Sequence, residues 1–311
     1  EGDPNFAYIL LAEGGGPINL NDHVDPAQLQ LLALDYGPLW LWNARAINDR
    51  DTNGCCQIVG FAEDVNGARY CYRFTTPQPW SDGAGPLYGD LEILDVTSEG
   101  FDYFWPWGIN NLGDVWGYGR GALGVKYGYV VTDDDLDGDG SPDEFVAIPE
   151  VGPGYQATAI NDGGQVVGFS TTGIGFRYSL ISDTLEGFSA PSGGSEDFVR
   201  PYDINEHGDF CGYTWFPESK RYKGLSRAFF YLDGDSDITG IDDGLSHRAE
   251  SINDSSDIVG HSRAGDMPFL LIGATEFVRL DEQVLSAPDP DWADARYFRN
   301  LHIDDSGRIY G

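Results

Sequence analysis

Lysine is almost missing from this chain: Lys126, Lys220 and Lys223 are the only ones in 311 residues. Basic residues number 18 against 51 acidic ones, a formal net charge of −33. So acidic a surface repels nucleic acid and anionic lipid, which argues against both as partners. It favours divalent cations, cationic partners or a salty medium that screens self-repulsion. Long apolar runs are missing too, and without one near the roughly 18 residues of a membrane helix no membrane insertion is expected. Met267 is the single methionine and the sequence opens on Glu1, so we expect a mature secreted chain whose signal peptide has been removed.

Cysteine is scarce: Cys55, Cys56, Cys71 and Cys211. They form no CxxC and no Cys/His zinc spacing, so no structural zinc is expected. Cys55 or Cys56 could bridge to Cys71 on a neighbouring strand in an oxidising compartment, and vicinal pairing of Cys55 with Cys56 would be strained. Catalytic signatures are also lacking. The five histidines (His23, His207, His247, His261, His302) are scattered, with no HExxH, no G-x-S-x-G and no phosphate-cradling glycine loop. Carboxylate pairs can always be found among 51 acids, so they carry no information about glycoside cleavage.

What the chain has instead is repetition. Six copies of one phrase run along it: Ile47-Asn48 to Gly60, Ile109-Asn110 to Gly117, Ile160-Asn161 to Gly168, Ile204-Asn205 to Gly212, Ile252-Asn253 to Gly260 and Ile303-Asp304 to Gly311. A period of roughly 40–50 residues marks repeated supersecondary units. With 42 glycines and 17 prolines, short strands and many turns fit better than helices. Each Ile-Asn ends a strand, a turn follows, and a second strand returns to the Gly. The Asn is read as Asx-turn chemistry, and the Gly as a close backbone approach or a positive φ. Cys211 stands in the column of Val59, Val167 and Val259, where a buried unpaired thiol is expected.

A third strand carries aromatics at i and i+2: Phe6/Tyr8, Tyr70/Tyr72, Tyr127/Tyr129, Phe176/Tyr178, Phe229/Tyr231, and Phe269 with Leu271. Period-two alternation places them on one face, packing against the next sheet. The chain also starts and stops in mid-repeat. Its two ends together complete a sixth unit, with residues 1–40 supplying the later strands. The expectation is an all-β fold, one domain over residues 1–311: a six-bladed β-propeller of four-stranded antiparallel blades, its last blade closed by both termini. An open solenoid or filament is the alternative. The repeat resembles the HAF family of extracellular repeats, whose units combine Ile-Asn, Val-Gly and an aromatic strand in that order. The resemblance implies export and a surface or matrix setting, and no defined reaction.

Two groups of residues stand out as sites. The stretch Thr132–Phe145 alternates aspartates at Asp133, Asp135, Asp137 and Asp139, then adds Asp143 and Glu144. Calcium takes six to eight hard oxygens on a flexible loop. From Asp133 the stretch satisfies D-x-D-x-D-G-x5-E, and from Asp135 it resembles the calcium loops of dockerin and thrombospondin type 3 repeats. Asp233, Asp235 and Asp237 form a second, weaker metal candidate lacking the Gly. The other group is aromatic: Trp40, Trp42, Trp105 and Trp107. These would bind glycan by stacking on sugar faces, or would simply fill wedges between sheets. The sequence therefore favours a secreted, non-enzymatic structural or adhesive protein, calcium-stabilised and self-assembling. A carbohydrate-binding propeller is the alternative, and a polysaccharide-degrading enzyme comes third.

Overall fold

A computed structural model describes residues 7–9, 18–48, 55–76, 88–94, 100–121, 126–132, 144–148, 156–190, 198–216, 225–241, 247–262, 267–280 and 301–310. Two compact units make up the chain, Glu1–Gln156 and Ala157–Gly311.

In the first unit, β1 (Tyr8–Ile9) and β2 (Ile18–Asn19) form an antiparallel pair. A 3-10 turn (Leu20–His23) and one helix, α1 (Pro26–Tyr36), follow. The next four strands, β3 (Leu39–Ile47), β4 (Gln57–Asp64), β5 (Arg69–Thr75) and β6 (Asp90–Leu94), make one antiparallel sheet in sequence order. A second such sheet is built from β7 (Phe101–Ile109), β8 (Val115–Gly121), β9 (Lys126–Thr132) and β10 (Glu144–Ala147).

The second unit contributes three more sheets of the same order. These are β11 (Gln156–Ile160) to β14 through β12 (Gln165–Phe169), β13 (Gly175–Ser179) and β14 (Thr184–Phe188); then β15 (Phe198–Ile204), β16 (Phe210–Phe216), β17 (Leu225–Tyr231) and β18 (Thr239–Gly240); then β19 (His247–Ile252), β20 (Ile258–Ser262), β21 (Met267–Ile272) and β22 (Glu276–Arg279). A last antiparallel pair, β23 (His302–Ile303) and β24 (Ile309–Tyr310), carries the sixth phrase. The protein is all-β, as expected, apart from α1.

That helix was not anticipated, although its signals are ordinary. Asp25 caps it by accepting from Ala27 N at 2.8 Å, Pro26 opens it, and Gly37 leaves it at φ 76°. It covers the outer edge of the first sheet. The Gln28 carboxamide donates to Leu91 O at 2.8 Å and accepts from Leu91 N at 3.0 Å, as a neighbouring strand would. A free edge is thereby satisfied without exposing β6 to another chain.

Each repeated residue has a physical task. The turn after the first strand places Gly113, Gly164, Gly208 and Gly307 at φ of 98°, 69°, 85° and 78°, and Ser256 takes the same place at φ 58°. The repeat-closing glycine meets a different need. A β-bulge in the first strand swings a carbonyl across it. A Cβ on Gly60, Gly117, Gly212 or Gly260 would lie 1.8, 2.0, 2.1 or 2.0 Å from the carbonyl oxygen of Asn43, Trp105, Arg200 or Arg248. Of the two alternatives the sequence left open, close approach holds at these four positions.

Opposite these four glycines, and opposite Gly168 in the third repeat, stands a buried ring: Gly60 faces Tyr72, Gly117 faces Tyr129, Gly168 faces Phe176, Gly212 faces Phe229 and Gly260 faces Phe269. This register corrects the aromatic pairs of the first two repeats, which are Tyr72/Phe74 and Tyr129/Val131. Tyr127 is 37% exposed. The direction of packing is corrected too. Tyr72 and Phe74 cluster with Ala7, Leu20 and Leu41, and Phe229 and Tyr231 cluster with Val167 and Phe188. The rings thus pack on the preceding sheet, while Val59, Cys71, Cys211 and Val259 face the following one. Each fully buried ring contributes roughly 2–3 kcal/mol through apolar area removed from water. Cys71 and Cys211 are free, buried thiols, so the bridge considered for Cys71 is not made. The Cys71 thiol lies in the core between sheets, and burial there pushes its pKa well up.

Candidate functional site

The Asn column does more than close turns. Asn161 Oδ1 accepts from Gln165 N at 2.9 Å, closing its own hairpin, and its Nδ2 donates to Asn205 O at 2.9 Å in the next repeat. Asn205 does the same toward Asn253 O at 3.0 Å, and Asn253 toward Asp304 O at 3.2 Å. In the first unit Asn48 reaches Asn110 O at 3.0 Å, and its Oδ1 still takes Gln57 N at 2.6 Å despite the insertion between them. Two arginines add parallel ties. Arg73 Nη1 donates to Gly113 O at 2.9 Å, and Arg177 Nη1 to Gly208 O at 3.1 Å. Arg177 is also held by Glu186 at 2.8 Å and Asp233 at 2.6 Å. These repeating polar residues belong to the scaffold.

The bulges carry the residues that do not repeat. One extra residue stands before Ile-Asn in four first strands: Arg45, Trp107, Tyr202 and Glu250. A bulge re-aims a side chain without moving the sheet, and bulges gather beside functional sites. Arg45 and Trp107, from successive repeats, converge. The Arg45 guanidinium sits 5.1 Å from the Trp105 ring, 5.9 Å from Trp107 and 5.8 Å from Phe61. Tyr118 lies parallel to Trp105 at 6.1 Å and 9°. Trp107 is 47% exposed, so this cluster presents an aromatic face to solvent.

The four tryptophans singled out from sequence thus divide. Trp105 and Trp107 share this cluster. Trp42 instead stacks under Arg69, 4.2 Å from its guanidinium, and Trp40 lies across the ladder from Glu63. Trp116 is structural, packed where a Cβ on Gly108 would be 1.9 Å from its ring.

The proposed calcium residues Asp133, Asp135, Asp137, Asp139 and Asp143 lie outside the described residues. Glu144 is described as the first residue of β10, paired with Thr132 of β9, so the acidic stretch joins two hairpin strands. In the second candidate, Asp233 is engaged by Arg177, and Asp237 Oδ1 accepts from Ile238 N at 2.8 Å. Among the described residues no three His, Cys, Asp or Glu side chains gather as a metal site.

One constellation escaped the sequence reading. Ser251 Oγ donates to Asp203 Oδ2 at 2.7 Å and lies 3.0 Å from His302 Nδ1. Burial raises the Asp203 pKa, opposed by bonds from Ile252 N and Ser251. A hydrolytic triad needs the imidazole between carboxylate and hydroxyl, so that it can take the hydroxyl proton. Here the serine is in the middle, its proton committed to Asp203. The three residues precede Ile in consecutive repeats, the one signal that links them. They act as a cross-repeat tie.

No family model and no curated protein matches the chain. Among solved structures it is similar to a virginiamycin B lyase from Staphylococcus aureus, at 13% identity over 85% of this chain and 75% of that one, with a TM-score of 0.38. It is also similar to the β-propeller domain of Cps50 (Swd1) from Myceliophteria thermophila, at 11% identity over 76% and 85%, with a TM-score of 0.33.

Among the described residues no helix is long and apolar enough to cross a membrane.

Proposed function

We propose that this chain is a non-enzymatic structural and adhesive repeat protein of the cell surface or extracellular matrix. Its six HAF-like repeats make a six-bladed β-propeller whose last blade is completed by both termini. Calcium on the Asp133–Glu144 stretch stabilises it and promotes association of copies. The supporting observation is the Asn ladder from Asn161 through Asn205 and Asn253 to Asp304. It commits the recurrent polar side chains to rigidity, as an architectural module requires. Sedimentation velocity with millimolar calcium, and again with chelator, tests this. Calcium-dependent large species are expected. A 34.0 kDa monomer in both conditions would overturn the assembly reading.

A second reading is carbohydrate binding, favoured by the exposed Trp107 beside Trp105, Tyr118 and Arg45. Flat rings next to a hydrogen-bond donor suit the C–H face and hydroxyls of a sugar. Glycan-array binding that disappears in Trp107→Ala supports it, and binding unchanged by that substitution removes it.

A further inference from the structure

The other two bulge residues, Tyr202 and Glu250, belong to a second cluster, in the fourth and fifth repeats, that neither reading above uses. Arg200 and Arg248 occupy matching places on β15 and β19, and both guanidinium groups share the ring of Tyr213, at 5.9 Å and 4.6 Å from its centre. Arg200 also stacks on Phe169 at 4.6 Å, and its Nη1 donates to the Tyr213 hydroxyl at 3.2 Å. The Tyr202 ring lies 5.3 Å from that of Tyr213. Burial, with Tyr213 next, pushes the Tyr202 hydroxyl up to about 12, so it is a neutral donor at physiological pH.

Two features of this cluster are unusual. Neither arginine pairs with a carboxylate among the described residues, although acids outnumber bases 51 to 18 in the chain. The Nε atoms of both arginines are buried and have no hydrogen-bond partner. The neighbouring acid is occupied elsewhere: Glu250 Oε2 accepts from Leu301 N at 2.8 Å, and its Oε1 lies 3.0 Å from His261 Nδ1, off the bonding direction. Two like charges on one ring, each with an unsatisfied buried donor, are costly unless an anion completes them.

We propose that Arg200, Arg248, Tyr202 and Tyr213 bind the carboxylate of an acidic sugar, a uronate unit of a polysaccharide. The guanidinium fork offers Nε and Nη together to a planar carboxylate. The Tyr202 hydroxyl, placed by the bulge, and the Tyr213 hydroxyl beside it suit the adjacent sugar hydroxyls. The strongly negative chain admits a singly charged carboxylate at less cost than a doubly charged phosphate or sulfate. This inference stands apart from the assembly and tryptophan readings, because it uses none of the residues on which they rest.

Calorimetric titration of the intact chain with trigalacturonate tests it, against the methyl-esterified trisaccharide, inorganic sulfate and triglutamate. Binding of trigalacturonate alone is expected, with affinity falling about tenfold or more in Arg200→Lys and in Arg248→Lys, since a charge-assisted bidentate bond is lost while charge and stem remain. Tyr202→Phe, which deletes one hydroxyl, is expected to weaken binding with an unchanged thermal melt. No binding of trigalacturonate, equal binding of its ester, sulfate or triglutamate, or full affinity in both arginine variants would overturn the proposal.

Discussion

The Asn205 carboxamide donates to Asn253 O at 3.0 Å while its Oδ1 accepts from Asp209 N at 2.9 Å. One buried side chain thus closes its own hairpin and ties two repeats together.

Asn205→Asp separates these two tasks. The carboxylate still accepts from Asp209 N, but it has no donor for Asn253 O and faces Asp209 Oδ2, now 3.2 Å from Asn205 Nδ2. The expected loss is about 1–3 kcal/mol in urea unfolding at neutral pH, the cost of an unsatisfied buried acceptor. Asn205→Ala removes both tasks and is expected to lose stability as well. If the Asp variant unfolds at the parent's urea midpoint, the ladder contributes nothing to stability.

Glycine substitutions distinguish close approach from mere flexibility. Gly60→Ala places a Cβ 1.8 Å from Asn43 O, so two strands must part, at a cost of about 3 kcal/mol. At Gly187 the nearest atom is Ile174 Cγ2 at 3.5 Å, and Ala there is expected to be neutral or to gain up to about 1 kcal/mol through a less flexible unfolded chain. Thermal melts of the two variants check this, and similar losses at both positions would refute the bulge argument.

Asp304 predicts an acid limb. Bonds from the Ser306 hydroxyl, Arg308 N and the Tyr310 hydroxyl lower its pKa from 3.8 to about 2. A carboxylate depressed in the folded state adds stability that is fully present above its ordinary pKa. That contribution is lost as pH falls from about 4 toward 2. Asp304→Asn should flatten this part of the profile, measured as urea midpoints between pH 5 and pH 2. An unchanged slope would mean that Asp304 does not link protonation to folding.

The strand phrases, the hairpin turns and the buried Cys211 were legible in the sequence, because alternation and turn chemistry act over a few residues. The aromatic register in the first two repeats was not. Tyr70/Tyr72 and Tyr72/Phe74 alternate equally well, and only pairing with Gly60 selects the second. Helix α1 has clear end signals at Asp25, Pro26 and Gly37, but a search for repeats passes over a segment that does not repeat. The tryptophans were legible as a group but not as two groups, since bulges at Trp42 and Trp107 aim them apart.

By itself the sequence determined the repeating all-β architecture: where strands end, where glycine is required, and which face of each strand is apolar. Only the tertiary structure decided which non-repeating side chains meet. Arg45 reaches Trp107, Arg248 shares the Tyr213 ring with Arg200, and Ser251 stands between Asp203 and His302. The reason is physical. Turn bonds close within one hairpin and leave a local signature, whereas these meetings depend on how one sheet stacks on the next and on bulges that turn single residues out of register.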